Sequence, residues 1–241
     1  MFDANAEVER ITGFIKEFFA KRPGFKGAVI GMSGGKDSLV CAALCKRALH
    51  KNKVYGVLMP NGNQPDVDDA YAAVKFLEID SMTINLLTPY KTLLRAGETR
   101  DYRFPPDVCR NVLPRMRMTM LYAIAQHRRS LVCCTSNLSE TTIGYTTKWG
   151  DNVGDFAPIA HLTKTEVVAV GIALGLPHEL VIKTPADGMS GLTDEQNFKF
   201  SYTELDDYIR NNREAVPSEV VELIEARIAA NSHKRPPIPS L

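Results

Sequence analysis

Short apolar segments of strand length alternate with helix-like segments along this chain, and this alternation constrains the fold more than any other feature. The apolar segments lie at residues 26–32, 54–59, 82–87, 131–135 and 156–161. Successive strand–helix units place their strands side by side and parallel, because each helix returns the chain to the edge of the sheet where the preceding strand began. The pattern therefore predicts an α/β fold, with an open, Rossmann-like parallel sheet of about five strands and helices on both faces.

The segments between and after these strands carry helical periodicity and residues typical of helix ends. We predict helices at residues 37–50, 67–79, 88–97, 111–127, 163–174 and 217–230. Asp66 is a favourable N-cap for the second of these. Pro114 lies in the first turn of the fourth, where proline is tolerated. The aperiodic stretches 98–110 and 184–200 are predicted to be loops.

Charge and cysteine content exclude several classes of protein. Lys plus Arg is 29 and Asp plus Glu is 28, and this near-neutral balance argues against a protein that coats nucleic acid. No apolar run reaches the roughly 18 residues of a membrane-spanning helix. The five cysteines contain no C-x-x-C pair, which argues against a disulfide framework or a zinc ribbon. We therefore expect a cytoplasmic protein with no nucleic-acid or membrane partner. No linker or internal repeat is evident, so we predict one domain over residues 1–241.

The hexapeptide of residues 33–38, Ser-Gly-Gly-Lys-Asp-Ser, directly follows the first predicted strand and opens a helix. Glycines let the backbone approach an anion, and the amides at a helix start point toward it. Asp37 beside a phosphate is explained if it holds a metal ion. The segment does not fit the Walker A pattern, because Gly31 is one residue too close to Gly35 and Asp37 replaces the required Ser or Thr.

The hexapeptide resembles the S-G-G-x-D-S loop of the ATP pyrophosphatases, which adenylylate a substrate and release pyrophosphate. That superfamily includes NAD, GMP and asparagine synthetases and tRNA-modifying enzymes. Seven further segments are similar, in order, to those of the ammonia-dependent NAD synthetases: residues 60–69, 111–118, 135–140, 145–151, 162–164, 193–195 and 233–235. The resemblance covers nearly the whole chain and implies membership of that family. We expect no glutaminase domain, so free ammonia is the implied nitrogen donor.

The resemblance implies a reaction as well as a fold. It implies ATP-dependent amidation of deamido-NAD (nicotinic acid adenine dinucleotide) by ammonia, the last step of NAD biosynthesis. An acyl-adenylate is the implied intermediate, and NAD, AMP and pyrophosphate are the implied products. It further implies Mg²⁺ as a cofactor, ATP as a co-substrate, and a homodimer with the dinucleotide site at the subunit interface.

The resemblance also assigns roles to individual residues, carried over by position. The implied ATP-binding residues are Gly31, Met32, Ser33, Gly34, Gly35, Lys36, Asp37, Ser38, Thr135 and Lys164. The implied deamido-NAD-binding residues are Arg117, Lys148, Asp155, His233 and Lys234. Asp37 and Glu140 are the implied magnesium ligands, and Ser33 and Asp151 stand where the family places the incoming ammonia. Many relatives have Ser or Thr where this chain has Ala186, so no ATP contact is assigned there.

The chemistry gives independent reasons for some of these roles. Ammonium must lose a proton before it can attack, and Asp151 is suited to bind it and to accept that proton. Guanidinium groups match phosphates bidentately, which favours a binding role for Arg117. Lys148 and Asp155 read as surface charges on spacing alone, so their assignment depends on the resemblance.

Two other functions are compatible with the hexapeptide. A tRNA-modifying ATP pyrophosphatase also adenylylates its substrate, and the arginine-rich stretch 95–117 could contact RNA. The neutral net charge, the lack of a separate RNA-binding module and the lack of a C-x-x-C pair argue against it. A non-enzymatic adenine-nucleotide sensor need not keep both Asp37 and Glu140. Pyrophosphate release that depends on deamido-NAD and ammonia separates all three.

Overall fold

Four parallel strands form the sheet in the computed structural model, which describes residues 2–64, 67–184 and 193–234. They are β1 (Ala28–Gly31), β2 (Val54–Leu58), β3 (Asp80–Thr83) and β4 (Leu131–Val132), in the order β3-β2-β1-β4. Val29 of β1 pairs with Tyr55 of β2 on one side and with Val132 of β4 on the other. The predicted open parallel α/β sheet is confirmed.

The predicted fifth strand, at residues 156–161, is wrong for the described part of the chain. Only an isolated parallel bridge joins Cys133 to Phe156, and turns follow it. Pro158 has no N–H group to continue a ladder. The apolar residues Ile159 and Leu162, which suggested a strand, are buried among those turns instead.

The third strand begins two residues before its predicted start. β3 is the edge strand, and most of its residues are exposed, so Asp80 and Ser81 are accommodated there. An apolar pattern does not detect a polar edge strand.

Eleven α-helices lie within the described residues. They are α1 (Ala4–Ala20), α2 (Lys36–Leu49), α3 (Val67–Leu77), α4 (Leu87–Gly97), α5 (Pro106–Arg128), α6 (Leu138–Ile143), α7 (Lys164–Ala173), α8 (His178–Val181), α9 (Asp194–Phe198), α10 (Tyr202–Ile209) and α11 (Ser218–Ala230). Short 3-10 turns occur at Lys51–Lys53, Arg213–Ala215 and Ser232–Lys234. No helix in these ranges is long and apolar enough to cross a membrane.

Helices cover both faces of the sheet, as predicted. Ala28 and Ile30 of β1 face a core built largely from α1, α2, α3 and α7. Val29, between them, faces the opposite side and packs with Leu113 and Ala125 of α5. The alternation of side chains along a strand therefore divides one apolar run between two cores. The five cysteines are free thiols, and four of them are buried.

Two predicted loops contain helices. α5 begins at Pro106 instead of residue 111, because Pro106 occupies the first helical position, where proline is favoured. Pro114 consequently lies inside the helix and not in its first turn. The predicted loop 184–200 contains α9, although residues 185–192 lie outside the described chain, as do Asp66 and Ala186.

A separate apolar cluster joins the last helices. It contains Ile143 of α6, Phe198 of α9, Leu205 of α10 and Ile224 of α11. Through α6 and α10 this cluster contacts α7. The C-terminal helices are thereby held against residues that follow β4, and so lie near the carboxyl edge of the sheet.

Candidate active site

A cavity of about 360 Å³ lies at the carboxyl ends of β1 and β2 and beside β4. This edge is where open parallel sheets bind ligands. The predicted residues that line the cavity are Gly31, Met32, Ser33, Gly34, Gly35, Lys36, Asp37, Ser38, Arg117, Thr135, Glu140, Asp151 and Lys164. Residues far apart in sequence are therefore brought to one site.

The loop 33–38 holds its shape through its own hydroxyl groups. Gly34 has a φ of 83°, a left-handed conformation that glycine adopts without strain. Ser33 Oγ accepts from the Gly35 N–H at 3.2 Å, and Ser38 Oγ donates to the Gly35 carbonyl at 2.9 Å. Gly35 is the N-cap of α2 and provides no side-chain acceptor. The first amides of α2 are therefore available to an anion in the cavity.

A buried cluster of one cation and two carboxylates lies beside the loop. Lys164 Nζ is 2.7 Å from Asp37 Oδ2 and 2.8 Å from Glu140 Oε1. Asn137 Nδ2 donates to the other oxygen of Asp37 at 2.9 Å, and Asn137 also caps α6. Residues from α2, α6 and α7 thus meet at one point.

Electrostatics in this cluster depend on burial and pairing. Burial raises the pKa of Glu140 to about 7, although the ammonium of Lys164 opposes the rise. Burial alone would lower the pKa of Lys164, but Asp37 and Glu140 outweigh it, so that pKa lies above its usual value. Lys164 is therefore charged at neutral pH, and its charge is shared between two carboxylates.

The oxygens of Asp37 and Glu140 fit a magnesium ion. Both already converge on a cation, the ammonium of Lys164. Within the described ranges no group of three or more His, Cys, Asp or Glu side chains could hold a metal. Mg²⁺ is commonly bound by one or two carboxylates together with substrate phosphates, so two protein ligands beside a phosphate-binding loop suit it.

Lys164→Met is expected to destabilise the protein by about 3 kcal/mol, because it leaves two largely buried carboxylates without the cation they share. The double variant Lys164→Met/Glu140→Gln should recover part of that loss, since it removes one of those charges. Denaturant unfolding of both variants measures the difference. Lys51→Met, which breaks an exposed pair with Glu78, is the control and should have little effect. Equal losses for the single and double variants would contradict this interpretation.

Arg117 lies in the cavity wall on α5 and joins that helix to the end of β2. Its Nε donates to the Met59 carbonyl at 3.1 Å and its Nη2 to Gln64 Oε1 at 3.3 Å. Burial lowers the pKa of its guanidinium, and the nearby Asp151 opposes this. Its two hydrogen-bond acceptors, a carbonyl and an amide oxygen, are neutral and do not neutralise its charge. The guanidinium therefore provides positive charge beside the cavity.

Asp151 lines the same cavity from a loop that follows α6. Its Oδ1 accepts from the Thr147 N–H at 2.7 Å. The surrounding protein raises the pKa of the Asp151 carboxyl by desolvation, whereas backbone hydrogen bonds and the charges of Lys234 and Arg117 oppose the rise. A carboxylate with a raised pKa is a better proton acceptor.

Four predicted dinucleotide-binding residues do not line the cavity. Lys148 Nζ donates to the His233 carbonyl at 2.6 Å, and Lys234 Nζ donates to the Gly144 carbonyl at 2.8 Å. Lys148 therefore lies against His233, and His233 and Lys234 are the last two residues of the described chain. Asp155 Oδ2 instead accepts from the Val132 N–H of β4 at 2.7 Å. Asp155 therefore has a hydrogen bond to the sheet, and its role in binding a ligand stays a prediction.

Residues to which the sequence analysis gave no role also line the cavity. Asp194, at the start of α9, accepts from the Tyr202 hydroxyl at 2.9 Å. Burial lowers the pKa of Lys36, and the positive charge of Lys164 lowers it further. The carboxylates of Asp37, Asp194 and Glu195 oppose this shift. A capping box of Thr193 and Gln196 starts α9, and that signal could have predicted the helix.

Comparisons with known proteins agree with this geometry. A sequence model of the NAD synthase family matches residues 7–238. The NH(3)-dependent NAD(+) synthetase of Finegoldia magna is 37% identical over 94% of this chain and 92% of its own. That of Pyrococcus horikoshii is 36% identical over 98% and 93%.

Solved structures agree as well. An NMN synthetase from Francisella tularensis has a TM-score of 0.92 at 28% identity, covering 100% of this chain and 99% of that one. An NH3-dependent NAD synthetase from Campylobacter jejuni has a TM-score of 0.82 at 30% identity and covers 100% of both chains. With a matching family model, relatives at more than 35% identity and a shared fold, the chain belongs to the NAD synthase family.

Proposed function

We propose that this chain catalyses the ATP-dependent amidation of deamido-NAD by ammonia, giving NAD, AMP and pyrophosphate. It is an amide-forming ligase of NAD biosynthesis. The observation that carries the proposal is the convergence of loop 33–38, the Lys164 cluster and Asp151 on one cavity in a member of this family. The loop and Lys164 suit a triphosphate, and Asp151 suits ammonium.

The first half-reaction joins two anions. The nicotinate carboxylate attacks the α-phosphorus of ATP, and pyrophosphate leaves. The amides at the start of α2, with Lys36 and Lys164, bind the triphosphate and stabilise the negative charge of the departing pyrophosphate. Asp37 and Glu140 would hold Mg²⁺, which when bound neutralises phosphate charge. Thr135 lines the same cavity and is the remaining proposed ATP contact.

The second half-reaction replaces AMP by ammonia at the acyl carbon. Asp151 binds ammonium and accepts its proton, and the Ser33 hydroxyl lies in the same cavity as a further polar contact. Arg117 provides positive charge for the dinucleotide. Lys148, His233 and Lys234, with Asp155, complete the proposed dinucleotide contacts.

The chain is proposed to be a single cytoplasmic domain that works as a homodimer with small-molecule substrates and without nucleic acid. Apolar side chains on α4 and the adjacent start of α5 support the dimer. Leu93 on α4, Tyr102 in the connection between α4 and α5, and Val108 at the start of α5 are exposed, and no residue of α4 is buried. A second copy of the chain would remove this apolar surface from water.

ATP is expected to be cleaved to AMP and pyrophosphate, because loop 33–38 resembles the S-G-G-x-D-S loop of the ATP pyrophosphatases and departs from the Walker A pattern. The test combines purified protein with Mg²⁺, ATP, ammonium and deamido-NAD, and separates the nucleotides by chromatography. NAD and AMP should form in equal amounts, and omission of either deamido-NAD or ammonium should prevent NAD formation. ADP as the main product, or NAD formation without ammonium, would refute the reaction proposed here.

A second candidate function is amidation of nicotinic acid mononucleotide. The observation that favours it is the high TM-score with the NMN synthetase. The two substrates share the reacting nicotinate and differ in the adenylate portion. Measuring kcat/KM for each under the same conditions decides between them, since the substrate with the larger value is the preferred one.

A further inference from the structure

We propose that Thr147 is the positioning residue for Asp151, because it ties the loop that carries Asp151 to helix α5. The inference rests on the role of Asp151 proposed above. Thr147 itself is buried, at 7% exposure, and does not line the cavity. It therefore acts through Asp151 without touching substrate.

Two hydrogen bonds connect Thr147 to Asp151 on one side and to α5 on the other. Its backbone N–H donates to Asp151 Oδ1 at 2.7 Å, and its hydroxyl donates to Asn111 Oδ1 at 2.8 Å. The amide of Asn111 is itself held, because its Nδ2 donates to the Asp107 carbonyl one turn earlier in α5 at 2.9 Å. A continuous chain of contacts thus runs from α5 through Thr147 to the carboxylate.

The rest of the loop lies against the same part of α5. Arg115 Nε donates to the Lys148 carbonyl at 3.1 Å. Gly150 packs so closely that an added Cβ would lie 2.9 Å from Pro114 Cβ and 3.0 Å from Thr147 Cγ2. The Gly150 N–H donates to the Thr147 carbonyl at 2.8 Å, which closes the turn before Asp151. The hydroxyl of Thr147 adds a bond from a side chain of the turn to a side chain of the helix.

This arrangement links two parts of the site to one helix. Arg117 extends from α5 into the cavity wall, and the loop of Asp151 rests on the same helix a turn earlier. The Thr147–Asn111 bond is therefore one of the contacts that set their separation. A shift of about 1 Å in a reacting group can reduce a rate by about 10²-fold. Loss of the Thr147 hydroxyl should therefore slow the ammonia step selectively.

The experiment compares Thr147→Val, which keeps the shape and removes the hydroxyl, with Thr147→Ser, which keeps the hydroxyl. Single-turnover reactions follow the acyl-adenylate and NAD separately. Thr147→Val should slow amide formation by at least about tenfold and leave adenylylation unchanged, whereas Thr147→Ser should stay close to the native rate. Thr119→Val is the matched control, since that hydroxyl bonds only within α5, to the Arg115 carbonyl.

A double-mutant cycle identifies the bond itself. Asn111→Ala should reproduce the defect of Thr147→Val, and the double variant should be no slower than either, because both remove one interaction. Additive losses, or equal losses in the Val and Ser variants, would overturn the proposal. The proposal would also be overturned if Thr147→Val formed the amide at the native rate while Asp151→Asn formed it slowly. That result would leave the proposed function intact. Thermal unfolding of each variant verifies that it is folded.

Discussion

Asp37→Asn is expected to abolish NAD formation almost completely while the protein stays folded. The substitution removes one of the two carboxylates proposed to hold Mg²⁺, and loss of such a ligand should cost several kcal/mol at the transition state, or roughly 10³-fold in rate. The fold should persist because Asp37 lies half-buried at the start of α2 and Lys164 keeps its bond to Glu140.

The measurement is the rate of NAD formation at saturating Mg²⁺, together with thermal unfolding. Asp68→Asn is the matched control, since Asp68 also lies in the first turn of a helix but is exposed on α3. Near-native NAD formation by Asp37→Asn would contradict the proposed metal role. A large loss of stability would show instead that Asp37 is needed mainly for the Lys164 cluster.

Asp151→Asn is expected to spare adenylylation and to slow amide formation by about 10²–10⁴-fold, the usual contribution of a general base. The two half-reactions use different groups: loop 33–38 and Lys164 serve adenylyl transfer, and Asp151 serves the nucleophile. Asparagine keeps the shape and one acceptor oxygen for the Thr147 N–H, but it loses the charge and basicity.

Raising the pH should partly relieve this defect, because free ammonia needs no deprotonation before it attacks. The native enzyme should gain less from the same change, because Asp151 already accepts the proton. Single-turnover reactions across pH, following the acyl-adenylate and NAD separately, measure both effects. If the variant loses both steps equally at every pH, Asp151 has a structural or dinucleotide-binding role instead.

Local sequence signals succeeded where a short segment determines its own conformation. The helix predicted to start at residue 163 begins as α7, with a capping box of Thr163 and Glu166 at its start, and loop 33–38 lies between β1 and α2 as predicted. In both cases the bonds that define the structure join residues a few positions apart. The same signals failed where tertiary packing decides, as with Pro114, which the sequence suggested for a first turn and the structure places inside α5.

Candidate site residues divide in a similar way. The resemblance assigned Asp37 and Glu140 to magnesium and Lys164 to ATP, and the structure joins all three in one ion cluster. Segment 193–195 was noted for its resemblance, but Asp194 was given no role, because its place in the cavity wall depends on the packing of α9.

The sequence by itself determined the alternation of strands and helices, the anion-binding loop and the resemblance to the NAD synthetases. Each of these depends only on the identity and spacing of neighbouring residues. Only the tertiary structure decided that residues 156–161 turn instead of forming a strand, that Asp155 bonds to β4, and that Thr147 joins Asp151 to α5. The physical reason is that hydrogen bonds between distant segments depend on how the elements pack, and spacing along the chain does not encode that packing.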